Sequence, residues 1–232
     1  MCYNLPMYKH FTKQDWEKAL GLEGCTLDYF ITTGSGKREN ETETFKKVLS
    51  EYSLDKPLEN LKDSFFKNVY TFTLTGKNIW FDVVYGGAYL SELTHIACIF
   101  GSKKNYITGS CGGLQNNLEN GDIILPTYAY GDESTTRMYQ EDVKDNKHYS
   151  NEKLRKEILE NIDSKYNVHE GPIITCQGML AETKEDIDQW EKEGYLGVEM
   201  ETSTLFAVSN YFNVPTISIL SVGDNLVKNV LV

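Results

Sequence analysis

Arginine is scarce: Arg38, Arg137 and Arg155 are the only three in 232 residues. A site that grips an anion with planar guanidinium groups therefore has few candidates. Positive charge is short overall, with 23 Lys and Arg against 34 Asp and Glu and a formal net charge of −11. That balance excludes a nucleic-acid backbone or an anionic membrane as partner, since both need a basic surface. The cysteines, Cys2, Cys25, Cys98, Cys111 and Cys176, are odd in number, scattered and never in C-x-x-C spacing. Neither a disulfide framework nor a zinc site is expected, and a reducing cytoplasm fits. No run approaches the ~20 apolar residues of a membrane span, and the opening MCYNLPMYKHFTKQDWEKAL turns polar too early for a signal peptide. Internal repeats, low-complexity tracts and Pro/Gly/Ser linkers are also missing. These absences leave one globular domain over 1–232, long enough for a sizeable core and suited to a small soluble ligand.

Apolar runs of strand length recur at 28–33 (DYFITT), 69–75 (VYTFTLT), 79–85 (IWFDVVY), 105–108 (NYIT), 122–125 (DIIL), 172–176 (PIITC) and 216–222 (TISILSV). Helical spacing appears at 88–100, 151–162, 184–193 and 200–212, the last with a more buried composition. Alternating strands and helices predict an α/β fold with a parallel or mixed sheet covered on both faces. LTGK at 74–77 reads as a hairpin turn, which makes part of the sheet antiparallel. The polar stretch 131–150 reads as a long surface loop.

Ligands of open α/β sheets collect where strands end and helices begin. Four such junctions carry unusual residues: TTGSGKR (32–38), TGSCGG (108–113), GVEME (197–201) and SVGDN (221–225). The first is not a triphosphate loop, because Ile31 and Arg38 stand where that motif needs Gly and Ser or Thr. Its glycine-rich backbone can form an anion nest, or can be a plain turn with a solvated arginine. In TGSCGG, small residues allow amides and the Ser110 hydroxyl to approach a ligand, or merely allow two elements to pack. Cys111 reads as a small buried apolar residue rather than a nucleophile. In GVEME, an extended backbone points Glu199 and Glu201 the same way with Met200 opposite. A carboxylate there can accept two hydrogen bonds from a vicinal diol or can cap helix amides. Asp224 in SVGDN can be a turn residue or a buried acid poised to donate a proton.

In this order and at these separations, the junctions resemble those of the nucleoside phosphorylase and nucleosidase superfamily. GVEMET is the most specific part. SCGGLQNNLENGDIILPTYAYGDESTT, GPIITCQGMLAETKEDIDQW and VPTISILSVGDN support it. The resemblance implies a three-layer α/β/α sandwich around a mixed, partly barrel-like sheet. It also implies cleavage of a nucleoside N-glycosidic bond, usually by inorganic phosphate as co-substrate and with no cofactor or metal. Carried over, Gly34 and Arg38 match the phosphate loop, and Gly109 and Ser110 match the second phosphate-contacting loop. Met200 and Glu201 match the ribose-binding pair, with Glu199 supporting the pocket floor, and Asp224 matches the acid that protonates N7 of a departing purine. Met179 falls where an aromatic residue often lines the base pocket. His10 matches an N-terminal histidine that some members lend to a neighbouring subunit, in keeping with a homo-oligomer, dimer or hexamer.

The departures bear on chemistry. Ile107 stands two residues before Gly109 where phosphorylases of this type commonly carry an arginine. A second arginine position corresponds to Phe65 and Phe66, with Lys62 and Lys67 nearby, and Gly223 stands where many purine-specific members have serine. Uridine-type members read the base with a glutamine and arginine pair; Gln177 is present here but no arginine follows it, which favours a purine. A lysine can hold phosphate only as a point charge. Two alternatives to purine phosphorolysis therefore stay open: a nucleosidase with water in place of phosphate, and an inactive nucleoside-binding protein.

Overall fold

The computed structural model describes residues 7–62, 66, 68–142 and 144–228. Among them the order is α1 (Lys13–Leu20), β1 (Tyr29–Gly34), α2 (Arg38–Leu49), β2 (Lys56–Asn60), β3 (Tyr70–Leu74), β4 (Lys77–Val84), α3 (Gly87–Ile99), β5 (Lys104–Gly113) and β6 (Ile123–Tyr130). There follow α4 (Ser134–Tyr139), β7 (Lys147–Tyr149), α5 (Glu152–Asn161), β8 (Val168–Thr175), α6 (Lys184–Lys192), β9 (Gly197–Glu199), α7 (Thr202–Tyr211) and β10 (Thr216–Asn225). None of these helices is long and apolar enough to cross a membrane.

The strands form one mixed sheet in the order β10-β6-β8-β9-β5-β1-β4-β3-β2, with β7 on β6 and an additional pairing of β10 with β5. That pairing closes β5, β10, β6, β8 and β9 into a barrel-like ring, from which β1, β4, β3 and β2 extend as an open wing. β5 runs parallel to both β1 and β10 and antiparallel to β9. The β3–β4 hairpin turns through Thr75 (φ 48°) and Gly76 (φ 71°), the left-handed pair its two-residue turn requires.

Strand alternation decides which helix lies on which face. Phe30, Trp80 and Val84 join Leu90, Leu93 and Ile96 of α3 and Phe206 of α7 in the largest apolar cluster. Ile79, Phe81 and Val83 point the other way and meet Phe45 of α2, whose ring stacks on Phe81 with centroids 3.6 Å apart. Full burial of each such side chain contributes ~1.5–3 kcal/mol against the entropy of ordering it. Helices α1 and α6 start at capping boxes, Thr12 with Asp15 and Thr183 with Asp186.

Three expectations change. TGSCGG and SVGDN are not loops: they continue β5 and β10, with Asp224 opposite Gly112 across a register shift. Small residues have little strand preference of their own, but ring closure supplies partners on both sides. The stretch 131–150 is not a long loop either. It contains α4 and β7, and it buries His148, which bonds to Gln140 and to the Gly131 carbonyl. Finally, RENETETFKKVL folds as α2 although its polar composition gave no helix signal.

Candidate functional site

The floor of the site forms where β1 and β5 run side by side. Gly34 lies in register with Gly109, and a Cβ on Gly109 would sit 3.1 Å from the Gly34 carbonyl oxygen. Glycine there lets the two backbones touch. One residue earlier, the hydroxyls of Thr33 and Thr108 bond at 2.9 Å. Thr33, Gly34, Thr108, Gly109, Ser110 and Ser221 open into a cavity of ≈ 310 Å³. This joins a larger one of ≈ 690 Å³ through their shared residues Gly34, Ser35, Glu41 and Ser110.

The wall of the larger cavity is the β9–α7 corner. Glu199, at the end of β9, accepts the Thr175 hydroxyl on Oε1 (2.7 Å) and the backbone N–H groups of Glu201 (2.9 Å) and Thr202 (2.8 Å) on Oε2. It is therefore the cap of α7, tying the first helical amides to the strand that leads into them. Glu201 is held differently. Its Oε1 accepts the Gly86 N–H at 2.5 Å, while Oε2 lies over Gly34, where an added Cβ would come within 2.7 Å of it. Burial, and then the charge of Glu199, push the Glu201 carboxyl up to about 8. Burial also raises Glu199, whose hydrogen bonds oppose the shift.

Met179, Val198, Met200, Gly223, Asp224 and Leu226 also line the larger cavity and make part of it apolar. Asp224 projects from the tip of β10, and burial raises its pKa. Glu182 faces the same cavity from the end of the short 3-10 turn Met179–Ala181. Its pKa is raised by burial and by the charges of Asp224 and Asp186.

The structure places other expected residues elsewhere. Arg38 does not line the cavity: its Nη1 bonds Asp82 Oδ1 at 2.5 Å. Asp82 is fully buried on β4 and also accepts the Val83 N–H at 2.7 Å. Burial pushes Asp82 up to about 6 against the lowering effects of Arg38, the Val83 amide and the Tyr89 hydroxyl. The cation at the cavity is Lys37, with Glu41, Glu182, Glu199, Glu201 and Asp224 around it, so the lining is acidic. His10 is exposed at the end of the 3-10 turn Tyr8–His10 and does not line the cavity. Ile107 and Phe66 are buried apolar residues, and Phe65 and Lys67 lie outside the described residues. Gln177 spends its amide on backbone, accepting the Gly87 N–H (3.0 Å) and donating to the Met200 carbonyl (2.8 Å).

Glu41, Glu182, Lys37 and Tyr85 line the cavity without having been singled out from the sequence. Glu41 lies with Thr44, Phe45 and Val48 on one face of α2, and all four line the smaller cavity. Among the described residues no cluster of His, Cys, Asp and Glu is arranged to hold a metal ion.

The family model of the phosphorylase superfamily matches residues 31–230. The chain is 31% identical over 119 residues to the guanosine phosphorylase of Halorubrum lacusprofundi, covering 51% of this chain and 49% of that protein. It is 29% identical over 128 residues to the DeoD-type purine nucleoside phosphorylase of Clostridium novyi, 55% of each. The chain thus spans about half the length of these relatives. A solved structure of uridine phosphorylase from Vibrio fischeri ES114 shares the fold, with a TM-score of 0.67 at 22% identity over 86% of this chain and 79% of that one.

Proposed function

This chain belongs to the phosphorylase superfamily, and from that premise we propose that it cleaves the N-glycosidic bond of a purine nucleoside. Inorganic phosphate is the co-substrate, and the products are free base and ribose 1-phosphate. The observation that carries the reading is that one cavity is bounded by Glu201, Asp224 and the Gly34–Ser110 floor.

The chemistry follows from what each group can do. Glu201 accepts the ribose hydroxyls and fixes the sugar against the floor. As the C1′–N9 bond lengthens, its electron pair moves into the purine, and Asp224 delivers a proton to N7. Positive charge develops on the ribosyl ring, and an anion below the ring stabilises it before bonding to C1′. The Gly36 backbone amide, the Ser110 hydroxyl and the Lys37 ammonium supply the anion's contacts, since the Ser35 N–H is taken by the Val84 carbonyl and the Lys37 N–H by the Ser35 hydroxyl. Met179, Met200 and Val198 give the base an apolar slot, and no cofactor is called for. The working unit is a cytoplasmic homo-oligomer, dimer or hexamer, in which exposed His10 reaches a neighbour's ribose site.

One observation favours a second reading, in which water replaces phosphate. Arg38 is committed to Asp82, and Glu41 faces the floor where a phosphate would lie. A carboxylate there repels an anion and can take a proton from water. Incubation with inosine, guanosine and adenosine, with and without phosphate, separates the two by base release. Release that requires phosphate supports phosphorolysis, equal release without it selects water, and no release from any nucleoside overturns both.

A further inference from the structure

We propose that Leu226 is the positioning residue of the acid: its side chain closes the water side of the Asp224 carboxyl, so that Asp224 carries the proton the departing base will need. This rests on the reading that Asp224 protonates a purine.

Asp224 has to be neutral before the glycosidic bond breaks and has to regain its proton after each turnover. A carboxyl lining an open cavity is ionised at neutral pH unless something withholds solvent from it. At Asp224 burial raises the pKa, opposed by its own backbone amide, and no cation is among the groups that act on it. Gly112 shows what does the burying. A Cβ on that glycine would lie 2.7 Å from Leu226 Cδ1, 3.0 Å from Leu226 Cγ and 3.4 Å from Asp224 Oδ1. The isobutyl group and the carboxyl therefore converge on one point above β5, and glycine is the residue that leaves room for both. Both also line the larger cavity.

The cover is braced. The Leu226 N–H donates to the Gly113 carbonyl at 3.0 Å. Asn225, one residue earlier, donates to the carbonyls of Gln115 and Leu118 and accepts the amides of Val227 and Lys228. The Leu226 side chain packs against the cluster that holds Leu114, Ile174 and Val198. Cys111 of β5 and Glu182 of the turn before α6 stand close enough to feel the charge of Asp224. Glu199 and Glu201 from the β9–α7 corner, and Lys37 and Glu41 from the start of α2, line the same cavity. A fixed cation against Asp224 would hold it ionised, whereas an apolar cover excludes water and leaves the proton free to move to N7.

The test reads the carboxyl directly and through turnover. The carboxyl carbon of Asp224, assigned by its loss in Asp224→Asn, is titrated by NMR in the full chain, in Leu226→Ala and in Glu182→Gln. In parallel, kcat/KM is measured with guanosine and with 7-methylguanosine, whose base leaves without needing a proton, as the ratio of variant to parent at each pH. Leu226→Ala is expected to lower the Asp224 midpoint and the alkaline limb with guanosine by about one pH unit. Guanosine turnover at neutral pH then falls roughly tenfold, while the ratio with 7-methylguanosine stays within about twofold. Leu226→Val, a milder truncation, moves both readouts the same way by less, and serves should Leu226→Ala unfold. An unmoved midpoint, equal slowing of both substrates without a shift of the limb, or a larger shift from Glu182→Gln than from Leu226→Ala overturns the proposal. A lowered midpoint in a protein that releases no base from any nucleoside upholds the cover and removes the proposed cleavage. Base release with an unmoved midpoint does the reverse.

Discussion

The guanidinium of Arg38 bonds the buried carboxyl of Asp82 at 2.5 Å, which joins the first turn of α2 to the middle of β4. The Asp82 side chain is 1% exposed and that of Arg38 36%, so water screens one partner and not the other. Removing the guanidinium leaves the carboxyl beside apolar neighbours with fewer stabilising bonds.

Arg38→Met is therefore expected to lower stability by about 2 kcal/mol at neutral pH, less than for a fully buried pair because half of this one is screened. The loss depends on pH in a definite direction. Below the ordinary carboxylate range Asp82 is protonated and needs no cation, so the variant and the parent converge. As pH rises through about 6, the folded carboxyl must ionise and the gap opens. Urea unfolding at several pH values checks both the size and the direction; a gap that stays constant with pH would contradict it.

Glu201 gives a second pH signature. Its folded pKa of about 8 lies above the ordinary value of 4.5, so the folded chain holds a proton that the unfolded chain has released. That contribution is complete below the ordinary value and is lost as pH rises through about 8, amounting to a few kcal/mol across the window. Glu201→Gln should flatten the stability curve between those limits, measured by denaturant unfolding from pH 4 to 9.

Gly34→Ala places a methyl group 2.7 Å from Glu201 Oε2. The carboxyl has to turn aside, while the Gly86 amide keeps hold of its other oxygen. Nucleoside KM should rise roughly tenfold or more, with only a modest loss of stability, because the Gly86 hydrogen bond is kept. Steady-state kinetics beside a melting curve separates the two effects.

Asp224→Asn keeps the shape of the slot and removes the transferable proton. Purine turnover should fall by roughly 10² or more while nucleoside affinity changes little. Rates equal to those of the parent would take Asp224 out of the reaction.

The seven apolar runs each overlap a strand, most with an end that differs by a residue or more, because period and length of apolar segments carry the sheet directly. Helices α5 and α6 were legible for the same reason: Leu154 and Ile187 mark the buried side of otherwise polar segments. α2 was not, since Arg38 to Thr44 carry no apolar residue and its apolar packing on the sheet comes from Phe45 and Leu49. Missing α2 concealed Glu41, whose place at the floor depends on helical spacing. The tips of β5 and β10 escaped because glycine and serine become strand there only through partners distant in sequence. The Arg38–Asp82 pair left one trace that could have been followed. An aspartate inside IWFDVVY is a buried charge, and a buried charge requires a partner. Gly34, Ser110, Glu199, Glu201 and Asp224 were drawn to one cavity by motif resemblance, whereas local patterns do not encode which oxygen meets which amide.

Ring closure limits how this site can be altered. β5 carries Ser110 and is laddered to β10, where Asp224 stands opposite Gly112, and to β9, which delivers Glu199. Sliding any one of these strands would break pairings on two sides at once, so the spacing between floor, wall and acid is locked into the scaffold like teeth on meshed gears. New substrate preferences are therefore reached most cheaply by exchanging side chains on the two segments outside the ring, 35–41 and 178–183, while the gearwork stays as it is.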